Sequence, residues 1–273
     1  MKMRKPLAFF WRMANFLLIL YVVCLAREYI EVMKRFVLAV FFLLAVFLLP
    51  LSAKVPDEND ILSRILDTSS PQYYPSLMMR YMGGDTTLTD DDYHYLYYGY
   101  AYDPNYRPLE VTPSSDRILE ILAAVQQDAP TSEQAQSIVD AAREIMAVDP
   151  FSPKNINFMT YAYEALGDTV QARVNADRFA KIIRTIESSG SGLKESEPKH
   201  VLRTEHANDV LAARGLYIQS REVRTRSVEY IRLREKDGNV KGYYFDFGRM
   251  YRKAPELTPE KKPSRWQING FPL

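Results

Sequence analysis

Residues 36–53 carry no charge, follow Met33-Lys34-Arg35 and end at Pro50-Leu51-Ser52-Ala53. A short basic start, an apolar stretch and small residues before Lys54 are the three parts of a secretory signal peptide. Pro50 breaks a helix about where such an apolar stretch must stop. The competing reading is a membrane-spanning helix, but 18 residues lie at the bottom of the roughly 17–25 a span needs. The run is read as a cleaved leader. A second apolar run, 13–26, lies between Arg12 and Arg27. As a helix it rises ~21 Å, short of the ~30 Å hydrocarbon core. Because Met33-Lys34-Arg35 is a complete leader start, residues 1–32 are read as an extension upstream of the true start. Cys24 is not a lipid-attachment site, since Val23 stands where that pattern needs Gly, Ala or Ser.

Setting aside 1–53 removes seven basic and two acidic residues, leaving 28 basic and 32 acidic side chains over 220 residues. The single cysteine goes with the leader, so the body has neither disulfides nor thiolate chemistry and must be held by its core. A body of 220 residues is large enough for that. Over the whole chain 35 basic residues face 34 acidic ones, which leaves no general field to recruit nucleic acid. The expected location is the periplasm or cell surface of a Gram-negative bacterium, with the membrane touched only through the leader if that is retained.

The body reads as helices first and strands last. Residues 57–68 place Ile61, Leu62, Ile65 and Leu66 on one stripe behind Asp57 as N-cap. Residues 76–82 form a short helical turn closed by Gly83-Gly84. Thr89 and three aspartates then open a helix whose Tyr93, Leu96, Tyr97 and Tyr100 share a face. Residues 116–127 are again amphipathic. Helices are expected from Thr131 to Val148, from Ser152-Pro153 to Leu166 and from Thr169 to Ser188. This stretch, about 131–189, resembles a tetratricopeptide hairpin: Tyr163, the Leu166-Gly167-Asp168 turn, Ala172 and Ala176 fall at that pattern's aromatic, turn and small positions. Ile138 and Ile145 depart from it in the preceding unit.

The polar loop 188–199 is the best internal boundary. Beyond it, 201–203 reads as a short strand and Thr204 as the cap of a helix from Glu205 to Ala213. Residues 216–223 read as extended. Residues 228–235 and 240–247 flank Lys236-Asp237-Gly238-Asn239, a hairpin signal. Ile231 and Leu233 alternate with Arg232 and Arg234, and Tyr243, Phe245 and Phe247 alternate on the return, so one face is buried. The predicted class is α+β, predominantly α, with helical hairpins followed by a small C-terminal antiparallel sheet. One domain is expected over 54–252, helical at 57–189 and sheet at 200–250, with a loose tail at 253–273.

In order, Tyr95-Leu96-Tyr97-Tyr98-Gly99-Tyr100, Leu166-Gly167-Asp168, Ser188-Ser189-Gly190, His200-Val201, Glu205-His206, Gly215-Leu216 and Tyr244-Phe245 resemble the Bacteroidota proteins grouped as domain of unknown function 4919. The resemblance covers roughly 57–250. It implies an exported protein of one mixed helical and sheet domain and assigns it no particular activity.

Candidate chemistry is sparse. Ten tyrosines lie within 73–106. Tyr93, Tyr97 and Tyr100 read as core. Tyr95, Tyr98 and Tyr102, with Tyr73, Tyr74 and Tyr106, are either a second packed stripe or an aromatic platform for a sugar or peptide; a cleft at Tyr95 and Tyr98 distinguishes the two. His200, Glu205, His206 and Asp209 form the one compact titratable cluster. Imidazole and carboxylate suit a metal or an acid–base pair, but the spacing matches no paired-His zinc helix. A solvated, capped helix start explains it as well. Asp90-Asp91-Asp92 lacks the glycine and terminal glutamate of a calcium loop. Gly190 and Gly192 lack a following Gly-Lys-Ser/Thr, and no Gly-x-Ser-x-Gly elbow is present. Neither metal nor cofactor is expected. Arg221, Arg224, Arg226, Arg232 and Arg234 give the last strands a basic edge, either as protection or for an anionic partner. By elimination the chain reads as an exported binding or interaction module for an envelope protein or glycan. The alternative is a hydrolase or metal-dependent enzyme built on His200, Glu205 and His206.

Overall fold

The computed structural model describes residues 34–35, 53–110, 114–125 and 130–251. The leader apart from Lys34, Arg35 and Ala53, and the tail expected at 253–273, lie outside the described residues. Helix α1 (Glu58–Ile65) is capped by Asp57, whose side chain accepts from Asp60 N at 2.8 Å, and buries Ile61 and Ile65. It stops short of the 57–68 expectation. Helix α2 (Tyr74–Met82) starts on Pro75, whose missing N–H costs nothing in a first turn, and buries Leu77 and Tyr81. Helix α3 (Asp90–Gly99) opens with a full capping box, Thr89 and Asp92 each bonding the other's backbone.

Helix α3 has no solvent face beyond its first turn: every residue from Tyr93 to Gly99 is buried. Neighbours pack on several sides of it, α1, α2 and the long α7 among them. Tyrosine suits that position, because its ring fills the core while its hydroxyl can still reach a partner. Helices α4 (Ser114–Ala123), α5 (Ser132–Val148), α6 (Pro153–Ala165) and α7 (Thr169–Ser188) follow, each packed on the next. Thr131 and Gln134 form a second capping box at the start of α5, and Asp168 caps α7.

In α7, Ala172 is buried but Ala176 is exposed, against the small-residue expectation. Besides Ile182, Ile183 and Ile186, four polar side chains are buried there, Asn175, Arg178, Lys181 and Thr185. Arg178 donates to the Tyr81 carbonyl at the end of α2 and lies 4.7 Å from the Tyr81 ring. Lys181 Nζ donates to Thr86 O at 2.8 Å and pairs with Asp177 at 2.7 Å. These cations tie down carbonyls at and beyond the end of α2, Tyr81 O accepting from Gly84 N as well, and a cation near a helix C-terminus is electrostatically favourable.

The four-stranded sheet runs β1-β4-β3-β2, with β1 (Lys199–His200), β2 (Ile218–Val223), β3 (Val228–Asp237) and β4 (Val240–Asp246). Helix α8 (Thr204–Ala213) lies between β1 and β2. The hairpin turns through Gly238-Asn239, Gly238 at φ 59°. Ile231, Leu233, Tyr243, Phe245 and Phe247 are all buried, and they join the helices in one hydrophobic core. Three details differ from expectation. The sheet is mixed, because β1 pairs parallel with β4. The short strand is 199–200 rather than 201–203, since Lys199 and His200 are the residues in register with Phe245 and Asp246. Thr204 is the first residue of α8 rather than its cap; the cap position is Arg203, with no side-chain bond, and the Thr204 hydroxyl turns to Met250 Sδ. The loop expected as an internal boundary is anchored at both ends, where Ser189, Gly190 and Pro198 are buried, while 193–197 are exposed; a Cβ on Gly190 would sit 2.0 Å from Pro198 O. No helix among the described residues is long and apolar enough to cross a membrane.

Candidate functional site

Tyr97 of α3 and His206 of α8 are both fully buried, and the Tyr97 hydroxyl lies 2.8 Å from His206 Nδ1. The other ring nitrogen, Nε2, is 2.9 Å from Asp149 Oδ2 at the α5–α6 corner. The same hydroxyl accepts from Leu202 N at 3.1 Å. One proton arrangement satisfies every group: Nε2–H donates to the Asp149 carboxylate, and Tyr97, accepting from Leu202, donates to Nδ1. Burial pushes the Asp149 carboxyl up, but His206, Arg203 and the Phe151 N–H outweigh it and hold the group below the usual carboxylate range. Arg203 lies 3.5 Å from Asp149 and donates to the carbonyls of Arg107 at 2.6 Å and Glu110 at 3.3 Å. This is the chemistry of an acid–base relay, closed off from solvent and used as a fastener.

The other members of the predicted cluster lie elsewhere. His200, on β1, turns to Asp246: Nδ1 is 3.2 Å from Oδ2, close enough for an ion pair yet off the line of a hydrogen bond. Glu205 is exposed on the first turn of α8. Asp209 accepts from Lys154 N at 3.1 Å, and burial pushes its carboxyl up to about 6 against the pull of His206 and that N–H. Among the described residues no three His, Cys, Asp or Glu side chains converge to hold a metal. The structure therefore separates His200 and Glu205 from His206, while Asp209 stays near enough to feel its charge. Residues on one helical turn diverge once His206 faces inward and Glu205 outward.

The tyrosines form a packed wall. Tyr95 and Tyr98 are buried, their hydroxyls donating to Asp60 Oδ2 at 2.8 Å and His200 O at 3.0 Å. Burial and the Asp60 carboxylate push the Tyr95 hydroxyl up to about 12. Tyr106 is half-buried against Tyr100 and donates to Leu202 O at 2.6 Å; Tyr102 is half-buried against the core. Tyr73 and Tyr74 are also half-buried, and the Tyr74 ring covers Gly99. The platform reading of Tyr95 and Tyr98 fails because helices and the residue 54–57 segment enclose α3.

Sequence reasoning missed His94, buried between Tyr95 and Tyr98, both edge-on to it at 5.3 and 5.1 Å. Its Nδ1 has no partner among the described residues. Burial, with Lys54 nearby, pushes the imidazole down to about 4. Asp149 was legible only as a helix stop before Pro150, and Asp246 only as a strand residue. Nothing local to either pointed to a histidine dozens of residues away.

The sequence profile of a family described as Domain of unknown function (DUF4919) matches residues 59–255, helices and sheet together. The chain belongs to the DUF4919 family. No curated protein and no solved structure matches it. In this DUF4919 chain Tyr217 and Tyr251 are exposed, and the half-buried Tyr230 and Tyr244 lie on the outer face of the sheet. Tyr230 and Tyr244 pair there across β3 and β4, ring centroids 4.9 Å apart. Arg224 and Arg232 lie 5.5 and 5.9 Å from the Tyr230 ring and share Glu222, at 2.8 and 2.9 Å. Arg226 and Arg234 make no ion pair among the described residues. On the opposite face of edge strand β2, Arg221 turns in to Glu229 and Asn208, which blunts that edge against strand addition.

Proposed function

We infer that this protein is an exported interaction module of the cell envelope, acting in the periplasm or at the cell surface through the outer face of its C-terminal sheet. The observation that carries the reading is the Tyr230–Tyr244 pair flanked by Arg224 and Arg232. Tyrosine and arginine are the side chains that most often anchor binding surfaces. Arg224 and Arg232, answered by the one glutamate they share, leave that face able to take an acidic segment of an envelope protein. The uncharged leader-like run 36–53 and the cysteine-free body support export. The enzyme alternative loses its ground in the geometry, since His206 is sealed and Glu205 points away from it.

The test is a photo-crosslinking residue at Tyr244 in the exported full chain, with a Tyr230→Ala, Arg232→Ala double variant as control. A discrete crosslinked envelope protein, lost in the variant while its urea midpoint stays near that of the parent, supports the reading. No crosslink at Tyr244, or a crosslink the variant retains, refutes it.

A further inference from the structure

The first hydrogen bond of the folded body is made by the backbone nitrogen of Lys54, which donates to the Ser188 carbonyl at 2.8 Å. Ser188 is the last residue of the 20-residue helix α7. Its carbonyl is one of the unsatisfied acceptors at the negative end of a long helix dipole. That end is already a gathering point for donors. Lys199 Nζ reaches Glu187 O and Gly190 O, both at 3.0 Å, and the Ser189 hydroxyl reaches Ile186 O at 2.7 Å.

Independent contacts hold Lys54 there. Its Nζ pairs with Asp91 and lies 5.1 Å from the Tyr95 ring. Two residues on, Pro56 is buried and its carbonyl accepts from Arg249 at 2.9 Å. Asp57 then caps α1. Immediately upstream, Ala53 is exposed, and the compact unit begins at that residue.

We propose that removal of the leader between Ala53 and Lys54 converts this hydrogen bond into an ionic cap, the new α-ammonium of Lys54 seating on the Ser188 carbonyl. The proposal rests on the reading of an exported chain with a cleaved leader. A peptidase of the export machinery adds one water across the Ala53–Lys54 amide. The C–N bond breaks, the water oxygen ends in the Ala53 carboxylate, and both its hydrogens end on the Lys54 nitrogen. One of the three N–H groups keeps the Ser188 bond and the others face solvent. Processing thus stabilises the body as well as freeing it.

The charges around the new ammonium work both ways. The α7 dipole, Glu187 of α7 and Asp91 of α3 favour it. Lys199 at the same helix end, Arg214, 3.9 Å from Glu187, and the Lys54 side-chain ammonium, already paired with Asp91, oppose it. His94 beneath Lys54 is held neutral by its burial. An ordinary α-amine titrates near ~8, and a seated one titrates higher. Its contribution is therefore complete below about pH 8 and disappears as pH rises through the folded-state value.

The experiment expresses the full chain with its leader in a Gram-negative host and recovers the exported product. Its N-terminal mass is measured, and its α-amine is titrated by nitrogen-15 NMR. A second chain carries one glycine inserted between Ala53 and Lys54, so the cut product keeps the Lys54 N–H bond but holds its charge one residue away. Support is a product beginning at Lys54 whose α-amine titrates above the inserted chain's, with an unfolding constant about two- to fivefold smaller at pH 7 and equal at pH 10. An exported product beginning elsewhere, or the same titration for both, overturns the cap while leaving export intact. Absence of any exported product overturns the cap and the reading beneath it together.

Discussion

The Tyr97 hydroxyl and His206 Nδ1 meet at 2.8 Å although 109 residues separate them in the chain. Through Asp149 and the Leu202 N–H the contact joins α3, α8, the α5–α6 corner and the segment after β1. Side chains suited to moving protons are here placed where neither water nor substrate reaches them, so their effect is on stability. Tyr97→Phe leaves His206 Nδ1 and the Leu202 N–H unpaired and is expected to cost about 1–3 kcal/mol. Asp149→Ala strands Arg203 as a buried charge and is expected to cost about 3–5 kcal/mol. Urea unfolding measures both, and a parental midpoint for Tyr97→Phe contradicts the fastening role.

His94 sets a pH dependence with a definite sign. Its folded-state value is pushed down to about 4 from an ordinary 6.5. The unfolded chain therefore takes up the proton first, and stability is lost as pH falls from about 6.5 towards 4. Asp209, raised to about 6 by burial, works in the opposite direction between about 6 and 3.8. Comparison with His94→Gln separates the two. The parent is expected to lose on the order of 3 kcal/mol relative to the variant between pH 7 and 4. Parallel pH profiles for the two proteins are the contrary outcome.

Arg203 is the clamp on the loop 107–110 through the Arg107 and Glu110 carbonyls. Arg203→Met keeps most of the stem's packing and removes those bonds. Amide hydrogen exchange over residues 105–110 is expected to rise at least tenfold while the core of α3 stays protected. Unchanged exchange in the loop would show that the clamp is idle.

Gly190 is required by space. Its missing Cβ would lie 2.0 Å from Pro198 O and 2.9 Å from Glu197 O. Both contacts are with backbone, which cannot swing aside as a side chain does. Gly190→Ala is expected to cost on the order of 3 kcal/mol, with loss of amide protection at Tyr244, whose N–H donates to Gly192 O at 2.8 Å. Gly167→Ala provides the comparison: its φ of 75° is strained for alanine, but no atom lies within 4 Å of the added methyl. A thermal melt ranks the two, Gly190→Ala melting lower.

Much of the fold was legible where structure depends on near neighbours. Capping at Asp57 and Thr89, the Gly238 turn and the alternation of Ile231, Leu233, Tyr243 and Phe245 all follow from side chains within a few positions of one another. The candidate site was not legible in that way. His200 and His206 stand six residues apart, yet one belongs with Asp246 and the other with Asp149 and Tyr97.

Local pattern alone carried the presence and order of the helices, the strands coming last, and which face of the hairpin turns inward, because capping and periodicity act over a few residues; helix ends shifted by a few positions once packing was set. Packing alone settles that α3 is enclosed beyond its first turn, that β1 runs parallel to β4, and that the tyrosines and His206 are fastenings. A buried hydroxyl or imidazole needs a partner, and the partners available to these came from segments between 35 and 109 residues distant. No local pattern can carry that information, since it arises only when the packed helices bring those segments together.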